Sequence, residues 1–299
     1  MMPPHAVDEI AFGTSLAAVN KGSSIRVYEV DVYGGVRETQ YEDKWTGGKS
    51  SNVLAKGRIG TPLAATSLGL DHIRVYYVSN DLTAHEICWD GKNWYEGAFG
   101  KAGFKVAGYS GGLSAVYLGG RNDVLRVYGQ NEDGHVQEFT YDGGKGWQKG
   151  SNLGAALPGT AIAATTWGSS PYHIRVYFQD KDRNVLEKTW DGSSWGTGGL
   201  RIDDLPPRAA LGVTSWGDGS NLSIRLYYGA SCCLIKEKAW DGEWRDGEFK
   251  EESLPGSKVA AIPKPVLRVY IQTGSHVTAA CEFMWEKGWS IGNRALPPA

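Results

Sequence analysis

Six arginines recur along the 299-residue chain, each inside an aliphatic-Arg-aliphatic-Tyr tetrapeptide: Arg26, Arg74, Arg126, Arg175, Arg225 and Arg268. In five units a glutamate lies twelve residues further on, at Glu38, Glu86, Glu138, Glu187 and Glu237, and in the sixth Glu282 lies fourteen further on. An aromatic follows each glutamate by three residues, at Tyr41, Trp89, Tyr141, Trp190, Trp240 and Trp285. A second tryptophan comes next, at Trp45, Trp94, Trp147, Trp195, Trp244 and Trp289. A guanidinium beside a carboxylate offers fixed donors and acceptors of charge-assisted strength, which can match adjacent hydroxyls. An aromatic ring lies well against the C–H-rich face of a pyranose, and an indole N–H adds one directed donor. The chemistry suits a sugar. A cross-strand salt bridge beside core tryptophans is the competing reading, and repetition alone does not separate the two.

The spacing of the arginines, 48, 52, 49, 50 and 43 residues, points to the elements that must position them. Upstream of each lies a run of small and aliphatic residues: LAAV at 16–19, LAAT at 63–66, LSAV at 113–116, IAAT at 162–165, LGVT at 211–214 and VAAI at 259–262. Each unit holds about four strand-like segments, and helical periodicity is absent. A period of ~40–50 residues with four strands per unit is the pattern of a propeller blade. The sequence therefore predicts an all-β, six-bladed β-propeller with four-stranded antiparallel blades, a single domain over residues 1–299 with the small-residue run innermost. A hairpin centred midway between arginine and glutamate sets the two directly opposite each other, on one face of the blade. The odd offset sends the aromatics to the other face, together with the aliphatic residue before each arginine. Since the two faces of a blade meet two different neighbours, a polar wall on one blade faces an apolar wall on the next.

Composition narrows the function classes. The net charge of −2 with no basic stripe argues against nucleic acid as a partner. No apolar run reaches the ~18 residues that membrane insertion requires. The N-terminal MMPPHAVDEI has neither the basic start nor the apolar core of a secretory signal, which fits cytoplasmic residence or leaderless export to the cell surface. Four cysteines without CxxC spacing read as reduced thiols. The six histidines, His5, His72, His85, His135, His173 and His276, share no ligand spacing, so neither a metal nor another cofactor is expected.

At IRVY, the glutamate twelve on, and CWDGKNWYEGAF at 88–99, the chain resembles the fucose-binding lectins of the Aleuria aurantia type, found in fungi and some bacteria. The resemblance spans all six units. It implies multivalent, non-catalytic binding of L-fucose and fucosylated glycans or glycoproteins in pockets between adjacent blades, and a homodimer as an assembly that the family often forms. It implies six sets of pocket residues. The first is Arg26 and Glu38 with Ile73, Trp89 and Trp94; the second Arg74, Glu86 and Ala98 with Leu125, Tyr141 and Trp147. The third is Arg126 and Glu138 with Ile174, Trp190 and Trp195; the fourth Arg175 and Glu187 with Ile224, Trp240 and Trp244. The fifth is Arg225 and Glu237 with Leu267, Trp285 and Trp289, and the sixth returns from Arg268 and Glu282 to Ile25, Tyr41 and Trp45. Units one and six lack the DG turn, and unit six has the longer loop QTGSHVTAA, so unequal affinities are implied.

Two rivals remain on the residues alone. A glycosidase needs one central pair of carboxylates at a set separation, whereas these carboxylates repeat peripherally beside arginines, which lowers a carboxyl pKa and suits an acceptor. A protein-interaction propeller would use the same Arg–Glu–Trp sets as structural glue.

Overall fold

Small side chains fix how closely six strands can approach a common axis. The computed structural model describes residues 10–109, 111–276 and 278–298. Its innermost strands begin at Ala17, Ala64, Leu113, Ile162, Leu211 and Val259, and each packs on the inner strands before and after it. Alanines and glycines line the axial cavity between them. The crowding is severe at Gly212, where a Cβ would stand 2.7 Å from the Val259 carbonyl oxygen of the next blade. Hydroxyls tie neighbouring inner strands, as where Ser114 Oγ accepts from the Ala164 N–H at 2.8 Å.

Outward from each inner strand run three more antiparallel strands, giving six blades and a six-bladed β-propeller, as the repeat predicts. Blade four is typical, with Ile162–Trp167, His173–Gln179, Val185–Trp190 and Trp195–Ile202. Blade one adds a short segment, Ala55–Lys56, that pairs with its third strand. The second strands carry the IRVY tetrapeptides. Their alternation of β-branched, aromatic and polar side chains fits a pleated element with both faces covered.

The register corrects one expectation. Arginine and glutamate are diagonal neighbours, not directly opposed: Arg26 pairs with Gln40, while Glu38 pairs with Tyr28. The same offset holds in every blade, for Tyr76↔Glu86, Tyr128↔Glu138, Tyr177↔Glu187, Tyr227↔Glu237 and Tyr270↔Glu282. The hairpin centre lies one residue beyond the arginine–glutamate midpoint, so the tetrapeptide tyrosine, not the arginine, faces the carboxylate. A diagonal pair still shares one face. Unit one obeys this register as well as the others. In blade six the two extra residues sit at the hairpin tip, between Gln272 and Ala280, and leave the pairing intact.

Each blade joins the next through the tyrosine of its tetrapeptide. Tyr28, Tyr76, Tyr128, Tyr177, Tyr227 and Tyr270 are fully buried. They set their rings edge-on to Trp94, Trp147, Trp195, Trp244, Trp289 and Trp45, at 6.1–6.3 Å and 84–88°. The last of these contacts links blade six to blade one and closes the ring. Replacing Tyr177 by alanine removes this ring and its hydroxyl bond to Glu187, which should lower stability by about 3–5 kcal/mol in denaturant titrations. A loss below ~1 kcal/mol would contradict the gluing role of the contact.

Candidate functional site

The alternation of faces places the predicted residues on two facing walls. On one face of each blade an aliphatic residue, an aromatic and a tryptophan form a row across the second, third and fourth strands. Ile73 pairs with Trp89 and Trp89 with Trp94, and the equivalent pairings recur in blades one, three, four and five. In blade six Trp285 pairs with Trp289 and its N–H donates to the Leu267 carbonyl. The two aromatics of each row stand 5.3–5.9 Å apart. Ile25, Ile73, Leu125, Ile174, Ile224 and Leu267 are buried beneath them as an apolar floor. The aromatics are half-buried, except Trp147, which is buried.

Opposite this row stands the arginine–glutamate wall of the preceding blade. Between blades five and six the two walls flank a cavity of about 180 Å³ lined by Arg225, Glu237, Leu267, Trp285 and Trp289. Between blades two and three a cavity of about 320 Å³ is lined by Arg74, Glu86, Ala98, Leu125, Tyr141 and Trp147. These are the fifth and second predicted sets. Arginine Nε lies 3.8, 3.8, 3.3 and 3.5 Å from the glutamate in blades three to six. In blades one and two the two side chains share a face beyond ion-pair distance.

Each glutamate is held by its own blade. Backbone N–H groups of Phe99, Ser151, Leu200 and Asn293 donate to Glu86, Glu138, Glu187 and Glu282 at 3.0–3.2 Å. The tetrapeptide hydroxyls of Tyr28, Tyr128, Tyr177 and Tyr270 donate to Glu38, Glu138, Glu187 and Glu282. From across the gap, Trp147 Nε1 donates to Glu86 at 3.3 Å. One residue of the outer strand makes room for the carboxylate: Gly97, Gly150, Gly198, Gly247 or Gly292. A Cβ at Gly198 would stand 2.0 Å from a Glu187 oxygen. This glycine lies three residues after the second tryptophan in all six units, with Gly48 in unit one, and that regularity was available in the sequence.

A second carboxylate, missed by reading WDG as a turn alone, fixes five of the six arginines. Asp90, Asp142, Asp191 and Asp241 turn back onto Arg74, Arg126, Arg175 and Arg225 at 2.9–3.0 Å, and Glu42 does so onto Arg26 at 2.7 Å. Burial opposes ionisation of Asp90, yet hydrogen bonds from Tyr95, His72 and Arg74 outweigh it and hold the carboxyl at about 2. His72 and His173 thus have partners in Asp90 and Asp191. His5 lies outside the described residues. Among those residues no group of three or more metal-ligating side chains gathers. Arg268 lacks the clamp: its Nε is buried without a hydrogen-bond partner.

Two tryptophans outside the repeat pattern end the inner strands of blades four and five. Trp167 lies 4.8 Å from the Arg175 guanidinium carbon and Trp216 lies 5.0 Å from that of Arg225, both in cation–π geometry. Their positions, five residues after the start of the small-residue run and each followed by glycine, recur only between units four and five.

Two measurements follow from this geometry. Gly198→Ala must displace Glu187, and the overpacking should cost about 1–3 kcal/mol in denaturant titration; a neutral substitution would show the carboxylate free to move. Burial pushes the Glu237 carboxyl up to about 7, against the opposing pull of Arg225 and the Phe249 amide. From the ordinary glutamate value of 4.5 up to about 7, the folded chain holds this proton and the unfolded chain does not, so the group's contribution to stability falls as pH rises through that window. The stability of the parent minus that of Glu237→Gln should therefore decline across this window and level off above it. A difference independent of pH would refute the raised value.

Residues 10–299 match the family model of the fungal fucose-specific lectin. A fucose-specific lectin of Aspergillus oryzae is 40% identical over 312 residues, with both chains covered in full. Among solved structures, that of SapL1 lectin in complex with alpha methyl fucoside is 58% identical with a TM-score of 0.95, covering 98% of this chain and 100% of that one. The Aleuria aurantia lectin, described as a six-bladed β-propeller with a novel fucose recognition mode, is 31% identical with a TM-score of 0.83, over 96% and 97% of the two chains. With the match running from the first described residue through all six blades, the chain belongs to the fungal fucose-specific lectin family.

Proposed function

We propose that the protein is a multivalent lectin that binds L-fucose and fucosylated glycans in the gaps between adjacent blades, without catalysis. The observation that carries this reading is the facing of a clamped arginine–glutamate wall and an aromatic row over an apolar floor, repeated around the ring. The acid clamp takes up Nη1 alone of Arg126 and Arg175, Nη2 of Arg26, and both terminal nitrogens of Arg74 and Arg225; the guanidinium N–H groups it leaves over are the donors toward a ligand. Both oxygens of Glu138, Glu187 and Glu282 already accept one bond, from tyrosine and backbone respectively, and each carboxylate offers its remaining lone pairs as acceptors. The second tryptophan supplies a ring edge and an indole N–H. The first aromatic and the aliphatic floor suit the C–H face and methyl group of a deoxysugar.

The glutamates serve as acceptors in this scheme when ionised; contrary to the expectation from their arginine neighbours, burial raises the carboxyls of Glu38, Glu237 and Glu282, so their acceptor strength grows with pH. A structural role for the same groups explains the tyrosine–tryptophan contacts, but not the open cavities beside Arg74 and Arg225. Single sugar sites bind modestly. Several on one disc raise the avidity for a glycan-covered surface by a factor of ~10²–10⁴ through effective concentration alone. Pairing of two discs in a homodimer would multiply the sites again, and cell adhesion through fucosylated glycoproteins is the matching role.

Isothermal titration with L-fucose, using D-galactose and L-rhamnose as controls, tests the reading. Selective saturable heat with several sites per chain is the expected result. Arg74→Ala should remove one site and leave the unfolding midpoint within a few degrees of the parent. Absence of fucose heat would sink the proposal and favour the interaction propeller.

A further inference from the structure

The turns that join each inner strand to the second strand differ in length. They take residues 22–23 and 69–71 in blades one and two, but 118–123 and 168–172 in blades three and four. Where those two long turns meet, a cavity of about 400 Å³ opens to solvent beside the third candidate pocket. Leu118 and Val124 form its buried floor, and Arg121, Asp142, Ser169 and Tyr172 complete its lining. Its size lies within the usual range of small-ligand sites.

Two of these residues bond the arginine of the third pocket. Asp142 accepts from Arg126 Nη1 at 2.9 Å, and the Tyr172 hydroxyl, from blade four, accepts from Arg126 Nη2 at 3.5 Å. The half-buried Tyr172 ring packs on the cluster that includes Leu118, Val124 and Ile174. Arg121 is ordered by a two-point bond to Asp123 at 3.0 and 3.0 Å, while 65% of its side chain remains exposed. An aromatic ring, an apolar floor, a carboxylate and a guanidinium repeat the chemistry of the main pockets in a second space, joined to the third through the bonds of Asp142 and Tyr172 to Arg126. A single ligand filling both spaces must be two linked units.

We propose that this cavity is a second saccharide subsite, which holds the sugar glycosidically attached to the fucose seated in the third pocket. The inference rests on the lectin reading above and narrows it: the third pocket selects by the neighbouring sugar. Stacking on Tyr172 should favour a fucosyl disaccharide over α-methyl-L-fucoside by roughly tenfold.

The test isolates the third pocket by replacing Arg26, Arg74, Arg175, Arg225 and Arg268 with alanine. Titrations with α-methyl-L-fucoside, Fucα1-6GlcNAc and Fucα1-2Gal are then repeated with Tyr172→Ala and Tyr172→Phe. At least one disaccharide should bind about tenfold tighter than the methyl glycoside. Tyr172→Ala should erase that advantage by weakening the disaccharide about tenfold more than methyl fucoside, whereas Tyr172→Phe should keep most of it. Equal losses for both ligands would mean that Tyr172 acts only through Arg126, and no loss would mean that it touches neither; each overturns the subsite. No disaccharide advantage in the parent overturns it as well. Failure of methyl fucoside itself to bind would strike the lectin reading instead. Should the fivefold variant not fold, crystals of the unmodified protein soaked with each disaccharide decide the matter: a second ring against Tyr172 supports the subsite, and a second ring in solvent refutes it.

Discussion

The edge-on contact of one blade's tyrosine with the next blade's tryptophan is the constraint on which the rest depends. A four-stranded sheet has two apolar faces and cannot bury both alone. Each blade here covers one face with the preceding neighbour and the other with the following one, and the same six tyrosines lie at the seams. The tyrosine also stands directly opposite the glutamate, so a residue that glues blades also anchors a carboxylate. Structural and binding readings of the repeat are therefore not exclusive. The seam must exist before a gap with two unlike walls can exist.

The fold was legible because its period is long, regular and free of helical patterning. The walls were legible because strand geometry assigns faces by odd and even offsets, a rule that tolerates a one-residue error in the hairpin centre. That error did occur: twelve residues between Arg26 and Glu38 admit either a direct or a diagonal pairing, and only the paired backbone distinguishes Tyr28↔Glu38 from the alternative. The clamp by Asp90 and its equivalents was hidden for another reason. A WDG string signals a turn through its glycine, and nothing local reveals that the aspartate points back sixteen residues to Arg74. Trp167 and Trp216 share their place in units four and five but have no counterpart in the other four, so the sixfold pattern does not point to them.

The six gaps share a plan but not a degree of order. In blades four and five the arginine is flanked by an aspartate, its glutamate and a tryptophan face. In blade six Arg268 has its glutamate alone within ion-pair distance, and its first-blade partner row carries Tyr41 in place of tryptophan. The longer loop of unit six contributes nothing to this contrast, because its additional residues lie at the hairpin tip beyond Gln272.

Closure of the ring joins the two ends of the described chain. The Gly13 N–H donates to Gln272 Oε1 at 2.8 Å, and Gln272 Nε2 donates to the Ala11 carbonyl at 3.0 Å, across more than 250 residues of sequence. Each blade is a local meander that can pair its own strands early, but this final seam must gather distant segments at a large entropic cost. During synthesis the first blade accordingly waits with one apolar face bare until the sixth emerges from the ribosome. The interval before closure is the period in which the nascent chain most needs protection from aggregation.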